Sequence, residues 1–390
     1  MATALVNGRV LLDGHYVEGR ALLIEGERII AIVEEQDVAA AEERHDLGGG
    51  LLVPGFIDTQ VNGGGGVLFN EAPTPETIAT IGRAHRAFGT TGFLPTLISD
   101  DLSVIRAGIE AVDEAIAAGI PGVLGIHIEG PFLNEHRKGI HDSEKIRALD
   151  EEGFAVLTSL KRGRTLVTVA PECTTPDMIR RLVAAGVIVS AGHSNGRYAD
   201  MTAAVDAGLT GVTHLFNAMS PLTGREPGVV GAALESDRLW CGIIVDGHHV
   251  SPVTLKLALR CKSANKFMLV TDAMPSVGSA TKEFVLQGKR ISARGGVCVD
   301  SRGTLAGSDL DMASAVRNAI DLIGVPPGAA FLMASGAPAA FLGLDDRGAI
   351  APGMRADLVL LDENLVARAT WIGGQRVDSL DVRKREERLP

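Results

Sequence analysis

The chain has 390 residues, 46% of them hydrophobic and 22% charged, which describes one large globular domain or a large and a small one. At that length roughly 75% of the unfolded surface can be buried, so folding needs no disulfide frame. With 37 Lys and Arg against 48 Asp and Glu the net charge is −11, which argues against nonspecific nucleic-acid binding. A phosphorylated small molecule stays possible, because a pocket's local charge can oppose the global one. Cys173, Cys241, Cys261 and Cys298 form no CxxC pair and read as reduced thiols in the cytoplasm. The opening MATALVNGRVLLDG has no basic segment followed by an apolar block, so no secretory signal is expected.

Residues 1–53 alternate short β-prone runs with turns at Asn7-Gly8, Asp13-Gly14 and Glu25-Gly26. Residues 347–390 repeat the style in GAIAPGMRADLVLLDENLVARATWIGGQRV, and the two ends together are expected to form one discontinuous β-sandwich. The final DVRKREERLP lacks apolar periodicity and reads as a solvated end. Between them, over 54–346, the runs GFIDTQV, TGFLPTLI, VLGIHIEG, LVTVAPE, VIVSAGH, GVTHLF, CGIIVDG and FMLVTD alternate with helical patterns. Helices are expected over 75–88, 103–118, 176–185 and 252–264, with Pro at early positions and Gly89, Gly119 and Gly186 at exits. Continuous apolar strands alternating with helices predict an α/β fold, a (β/α)8 TIM barrel. Segment 282–307 reads as an inserted hairpin. The uncharged stretch 322–344 is broken by Pro326, Pro327 and Pro338 and reads as two buried helices, not a membrane span.

Active sites of such barrels sit at the C-terminal strand ends. Here those ends carry Asp58, Gln60 and Asn62; His127 and Glu129; Glu172; His193; His214 and Asn217; Asp246, His248 and His249; and Asp272. A strand buried on both faces rarely ends in a carboxylate or imidazole for packing alone. Glu129, His193 and His214 make a set suited to zinc or another divalent metal, and the spacing favours this over loop histidines beside a capping carboxylate. Asp272 is placed to take a proton from water and return it to a leaving group, or to cap the following helix. His141 reads either as a donor to a polarised carbonyl or as a surface imidazole. Arg225 suits a phosphate or carboxylate, though a solvated loop position is the ordinary alternative. The run Gly63–Gly66 sits in no phosphate-binding context and reads as a rim turn.

Taken together, PGFIDTQVNG, HIEGPF, KGIH, SAGHS, THLFNAM, TGREPG, VDGHHV, LVTDAM, GTLAGS and PGMRADLVLLD resemble one family over nearly the whole chain. It is that of the N-acetylglucosamine-6-phosphate deacetylases of the amidohydrolase superfamily. The resemblance implies a cytoplasmic homodimer with a metal-dependent barrel and a terminal β-sandwich. It implies hydrolysis of N-acetyl-D-glucosamine 6-phosphate to D-glucosamine 6-phosphate and acetate in amino-sugar catabolism. It assigns Glu129, His193 and His214 as metal ligands, Asp272 as acid/base, and His141 as the residue near the substrate carbonyl. It places Asn217, Ala218, Arg225 and His249 on the sugar phosphate, with Arg225 and His249 serving the neighbouring subunit. Ile140 and Leu305, Ala306 and Gly307 line the pocket. Where many amidohydrolases hold a second metal with H-x-H, this chain has Gln60 and Asn62, so one divalent ion per subunit is expected. Zinc leads, with iron, cobalt and manganese as alternatives. The rival readings are another amidohydrolase (a deaminase or cyclic-amide hydrolase) and an inactive amidohydrolase-like binding protein. Neither nucleic acid nor membrane is an expected partner.

Overall fold

The computed structural model describes residues 2–38 and 43–378. The tail 381–390 lies outside them. Strands Thr3–Val6, Arg20–Glu25, Arg28–Glu34 and Glu43–Asp46 form one four-stranded sheet from the N-terminal residues alone. A six-stranded sheet interleaves both ends, with Leu358–Leu361 paired antiparallel to Leu51–Pro54, and Arg9–Leu12 parallel to Leu51–Pro54 on its other side. The hairpin from Arg9–Leu12 into His15–Val17 turns on Asp13 and Gly14, both at positive φ (47° and 79°). That is the backbone of a tight two-residue hairpin turn, which Asp-Gly tolerates. Leu5, Leu22, Ile29, Leu52, Leu358 and Trp371 fill the interior of this part of the fold.

The middle of the chain supplies eight parallel strands that pair in sequence order. We label them β1 (Phe56–Val61), β2 (Thr90–Ile98), β3 (Gly125–Glu129), β4 (Arg164–Val169), β5 (Ile188–Ala191), β6 (Gly211–Val212), β7 (Trp240–Ile243) and β8 (Phe267–Leu269). β8 returns to β1 through Val61 paired with Ala273, and through the Asp272 N–H donating to the Gln60 carbonyl at 3.0 Å. The buried Asp58 carboxyl adds a side-chain latch by accepting the Thr271 hydroxyl. The result is a (β/α)8 barrel.

The helices lie close to the sequence expectation, at Pro75–Arg86, Leu102–Ala117, Pro176–Ala184 and Pro252–Cys261. Thr74 and Thr175 cap the first and third of these by accepting the N–H of Thr77 and Met178, with Pro at the first helical position. Residues 322–344 hold the two short helices Pro327–Ala334 and Gly336–Phe341. Among the described residues no helix is long and apolar enough to cross a membrane. Segment 282–307 is more than a hairpin: Glu283–Leu286, Lys289–Arg294, Val297–Val299 and Leu305–Ser308 make a four-stranded antiparallel sheet. Turns at Gly295-Gly296 and over 300–303 add the extra strands. The run GVTHLF yields only the two residues of β6, because His214 and Phe216 take left-handed backbone conformations and end the strand.

The barrel interior is layered. Ile57, Leu94, Leu166, Met268 and Phe341 pack together as an apolar floor. Above them comes a polar layer in which Thr96, His127, Thr168, Thr213 and Ser190 touch in series across β2 to β6. Glu129, His214 and Asp272 stand above that layer.

Candidate metal centre and substrate chamber

Glu129 closes β3, and its Oε1 lies 2.8 Å from His214 Nε2 and 3.1 Å from His193 Nε2. The two Nε2 atoms are 3.1 Å apart, and all three side chains are buried. His193 Nδ1 lies 2.8 Å from the carbonyl of Arg137, which can only accept, so the ring hydrogen is on Nδ1. The Nε2 lone pair is therefore turned toward a carboxylate oxygen. A carboxylate oxygen and two imidazole nitrogens converging at these distances in a buried site suit a cation between them. Ligands at ~2.1 Å in tetrahedral array stand about 3.4 Å apart, so small movements fit the set to a divalent ion. Electrostatics point the same way. Burial alone would raise the Glu129 carboxyl, but the closeness of His193 and His214 holds it well below the usual carboxylate range. Glu129 in turn overcomes the burial that would lower His214 and raises it. Among the described residues this trio is the one group of His, Cys, Asp or Glu arranged to hold a metal.

Asp272 follows β8 and is also buried; burial first and the charge of Glu129 second push its carboxyl up. Its Oδ1 accepts from Asn62 Nδ2 at 2.6 Å and from Gln60 Nε2 at 3.2 Å. The same Gln60 nitrogen donates to Glu129 Oε2 at 3.2 Å. Both amides thus act as hydrogen-bond donors, Gln60 tying the two carboxylates together and Asn62 holding Asp272, which leaves them poor ligands for a second ion. His141 is buried and sits over His193, ring centroids 4.4 Å apart. Its Nδ1 accepts from the Ser99 backbone N–H at 3.3 Å and contacts the Ser99 hydroxyl at 2.7 Å. The hydrogen therefore sits on Nε2. Burial, followed by neighbouring His193, lowers its basicity well below the usual histidine value, so the ring is a neutral donor.

Asn62, Glu129, His141, His193, His214 and Asp272 line one chamber of about 350 Å³, walled also by Ile140, Asn217, Ala218, His249, Leu305 and Gly307. Ala306 is buried between the last two and faces away, against Leu286 and Ile291. His249 is held by Asp246, whose Oδ2 lies 2.6 Å from Nδ1, and it stands in its own chain's chamber. Arg225 does not line it: the arginine lies on an exposed turn. His193, His214, Ala218 and Asp272 all have positive φ (46°, 32°, 49° and 52°). Non-glycine residues in this region cost about 1–3 kcal/mol each and cluster where function demands a side-chain direction.

A match to the amidohydrolase family covers residues 51–377. The chain belongs to that family. It is 44% identical over 369 residues to the N-acetylgalactosamine-6-phosphate deacetylase of Shewanella sp. (strain ANA-3), covering 94% of each chain. The crystal structure of N-acetylglucosamine-6-phosphate deacetylase from Pasteurella multocida superposes with a TM-score of 0.94 at 36% identity, covering 97% of this chain and all of that one. An aspartate-to-alanine variant of the Mycobacterium smegmatis deacetylase, in complex with N-acetyl-D-glucosamine 6-phosphate, superposes at 0.88 with 33% identity, covering 96% and 98%. The chain is an enzyme of this deacetylase branch.

In this amidohydrolase several rim residues singled out by sequence do structural work instead. Asp58 closes the barrel, and burial pushes its carboxyl up to about 7. His127 lies below the metal centre, between Thr96 and Thr168. Glu172 accepts from Ser194, from the Asn195 N–H and from Asn134, and so fastens the loop after β3 to the residues following His193. Sequence reasoning missed His136, Arg137, Met274, Leu286 and Thr304, all of which line the chamber. The basic pair between HIEGPF and KGIH was a usable signal for the first two. Leu286 gave none, because nothing local shows that its sheet folds over the chamber mouth. There Lys289 Nζ donates to the Ile140 carbonyl at 3.0 Å and Gln287 Nε2 to that of Ser99 at 2.6 Å.

Proposed function

We propose that this amidohydrolase hydrolyses the N-acetyl group of N-acetyl-D-glucosamine 6-phosphate to D-glucosamine 6-phosphate and acetate, in amino-sugar catabolism. The observation that carries the reading is the inward convergence of Glu129, His193 and His214 with Asp272 fixed beside them by a shared amide donor. A divalent ion held by that trio, for which zinc leads iron, cobalt and manganese, supplies Lewis-acid polarisation and lowers the pKa of water from ~15.7 towards ~7. Asp272 takes the proton of the attacking water. The same carboxyl then delivers that proton to the departing amine, a role suited to a buried carboxyl with raised proton affinity. His141 donates its Nε2 hydrogen to the oxygen of the acetamide as negative charge develops there. Ile140, Ala218 and Leu305–Gly307 shape the wall, and Asn217 and His249 hold the sugar phosphate.

Arg225, exposed and outside its own chamber, suits a homodimer in which it reaches the partner's substrate. The assignment divides the chain into a sandwich of 1–53 and 347–390 and a catalytic barrel of 54–346. Four free cysteines suit a cytoplasmic location. The 44% identity to an N-acetylgalactosamine-6-phosphate deacetylase supports a second reading, in which the 4-epimer is the better substrate. Acetate release from the two epimers, measured side by side, decides between them, and release from neither overturns both.

If Arg225 anchors the phosphate, Arg225→Ala removes a charged hydrogen-bond pair of about 1.5–3 kcal/mol, one to two decades in kcat/KM. The expected result is that loss for the 6-phosphate and almost none for unphosphorylated N-acetylglucosamine. Arg225→Lys restores only part of the rate, since a point charge lacks the planar fork. Equal losses on both substrates would remove Arg225 from the phosphate site.

A further inference from the structure

Two imidazoles face the candidate metal position, and their outer nitrogens differ. His193 Nδ1 donates to the Arg137 carbonyl. His214 Nδ1 is buried and has no hydrogen-bond partner among the described residues. A His214 that ligates the metal through Nε2, the nitrogen turned to Glu129 and His193, carries its hydrogen on Nδ1. A buried N–H left unpaired costs about 1–3 kcal/mol, and metal-bound histidines almost always donate theirs to a carboxylate, carbonyl or water.

The His214 ring separates the substrate chamber from a second, smaller cavity inside the barrel. That cavity measures about 10 Å³, and a single ordered water needs roughly 10–15 Å³ on the same measure. Gln60, His127, Ser190, Thr213 and His214 supply its polar wall, and Met268, Val270 and Phe341 are among its apolar neighbours. It exists because β7 places Gly242 in the polar layer, where every other contributing strand has a side chain. The hydroxyl series ends at the same place. His127 Nε2 lies 2.8 Å from Thr168 Oγ1, which lies 2.7 Å from Thr213 Oγ1, itself 2.8 Å from Ser190 Oγ. Each hydroxyl has one hydrogen to give. Whichever way the series runs, Ser190 at its end keeps one hydrogen-bonding function open: its hydrogen in one direction, a lone pair in the other.

We propose that the cavity beneath His214 holds one ordered water, which accepts the His214 Nδ1 hydrogen and joins that ring to the Ser190 hydroxyl. Water alone among ligands of this size both accepts from the imidazole and meets Ser190 in either direction. The molecule is a positioning element. It fixes the plane of the His214 ring from below, as the Arg137 carbonyl fixes His193 from the side. The inference rests on His214 being a metal ligand.

The test combines a crystal structure of the metal-loaded enzyme near 1.5 Å resolution with one filled-cavity variant. A Cβ at Gly242 would sit 3.4 Å from the His214 backbone nitrogen and from Val270 Cγ1, ordinary contact distances, so Gly242→Ala fills the space with little strain. The wild-type map should show one water within hydrogen-bond distance of His214 Nδ1. Gly242→Ala should release its metal to a chelator about 10-fold faster, while the melting temperature of the metal-free protein holds or rises. Ser190→Ala, which keeps the cavity and removes one partner, should accelerate release by less. A dry cavity in the wild-type map overturns the proposal, as does a more stable Gly242→Ala protein with unchanged metal release. A chain that binds no divalent ion would instead overturn the ligand assignment, and the map would still report on the water.

Discussion

Asp272→Asn should lower kcat by roughly 10²–10⁴-fold, the range spanned by loss of a positioned proton-transfer group. The amide is nearly isosteric with the carboxyl, so size is not the cause. What it loses is the ability to hold a proton between the attack of water and the departure of the amine. The structure limits the collateral damage. Asn62 and Gln60 donate to Asp272 Oδ1, and an asparagine oxygen can accept both bonds in the same place. The metal trio shares no ligand with Asp272, so metal content should match wild type by elemental analysis. Thermal stability should change little. A variant with half the wild-type kcat would remove Asp272 from the proton path. One that loses its metal as well would show that Asp272 is a ligand rather than an acid/base.

Glu129→Gln has the second large effect and acts through binding. Glu129 Oε1 is the anion on which both imidazoles converge, and their closeness holds its carboxyl well below the ordinary range. An amide there carries no charge. In one orientation it points N–H groups at the Nε2 lone pairs, satisfying them without any cation. Even outer-shell partners are worth 10–100-fold in metal affinity, so loss of a direct anionic ligand should weaken binding by at least about 100-fold. A ligand that binds only the folded state at 1,000 times its Kd stabilises by about 4 kcal/mol. Added zinc should therefore raise the melting temperature of wild type and leave Glu129→Gln almost unmoved. An equal rise in both proteins would take Glu129 out of the site.

Much of this architecture is legible in the sequence because its signals are local. Apolar runs alternating with capped helical patterns determine the strand order, and Thr74, Pro75, Thr175 and Pro176 mark helix starts within a residue or two. Glu129, His193, His214 and Asp272 stand out because charged or imidazole side chains rarely end buried strands. The same signal also selected Asp58, His127 and Glu172, which the fold uses for barrel closure, the polar layer and loop anchoring. Composition at a strand end cannot separate these uses, because the difference lies in which neighbour each side chain meets across 20 to 200 residues. Gln60 and Asn62 read as a missing second metal site. Their positive role, Gln60 as the donor linking Glu129 to Asp272 and Asn62 as a second donor to Asp272, appears only when β1, β3 and β8 are brought together. The sheet over 283–308 was legible as β structure and not as a wall of the chamber, since Leu286 reaches it through tertiary packing alone.

Metal-dependent deacetylation of an amino-sugar phosphate is read directly by one measurement. Purified enzyme is incubated with N-acetylglucosamine 6-phosphate, and acetate, free amine and ammonia are quantified before chelation, after chelation and after return of one equivalent of zinc per chain. Acetate and amine should appear in equal amounts without ammonia, both should be lost on chelation, and both should return with the single equivalent. Ammonia in place of acetate, or acetate release that survives chelation, would contradict it.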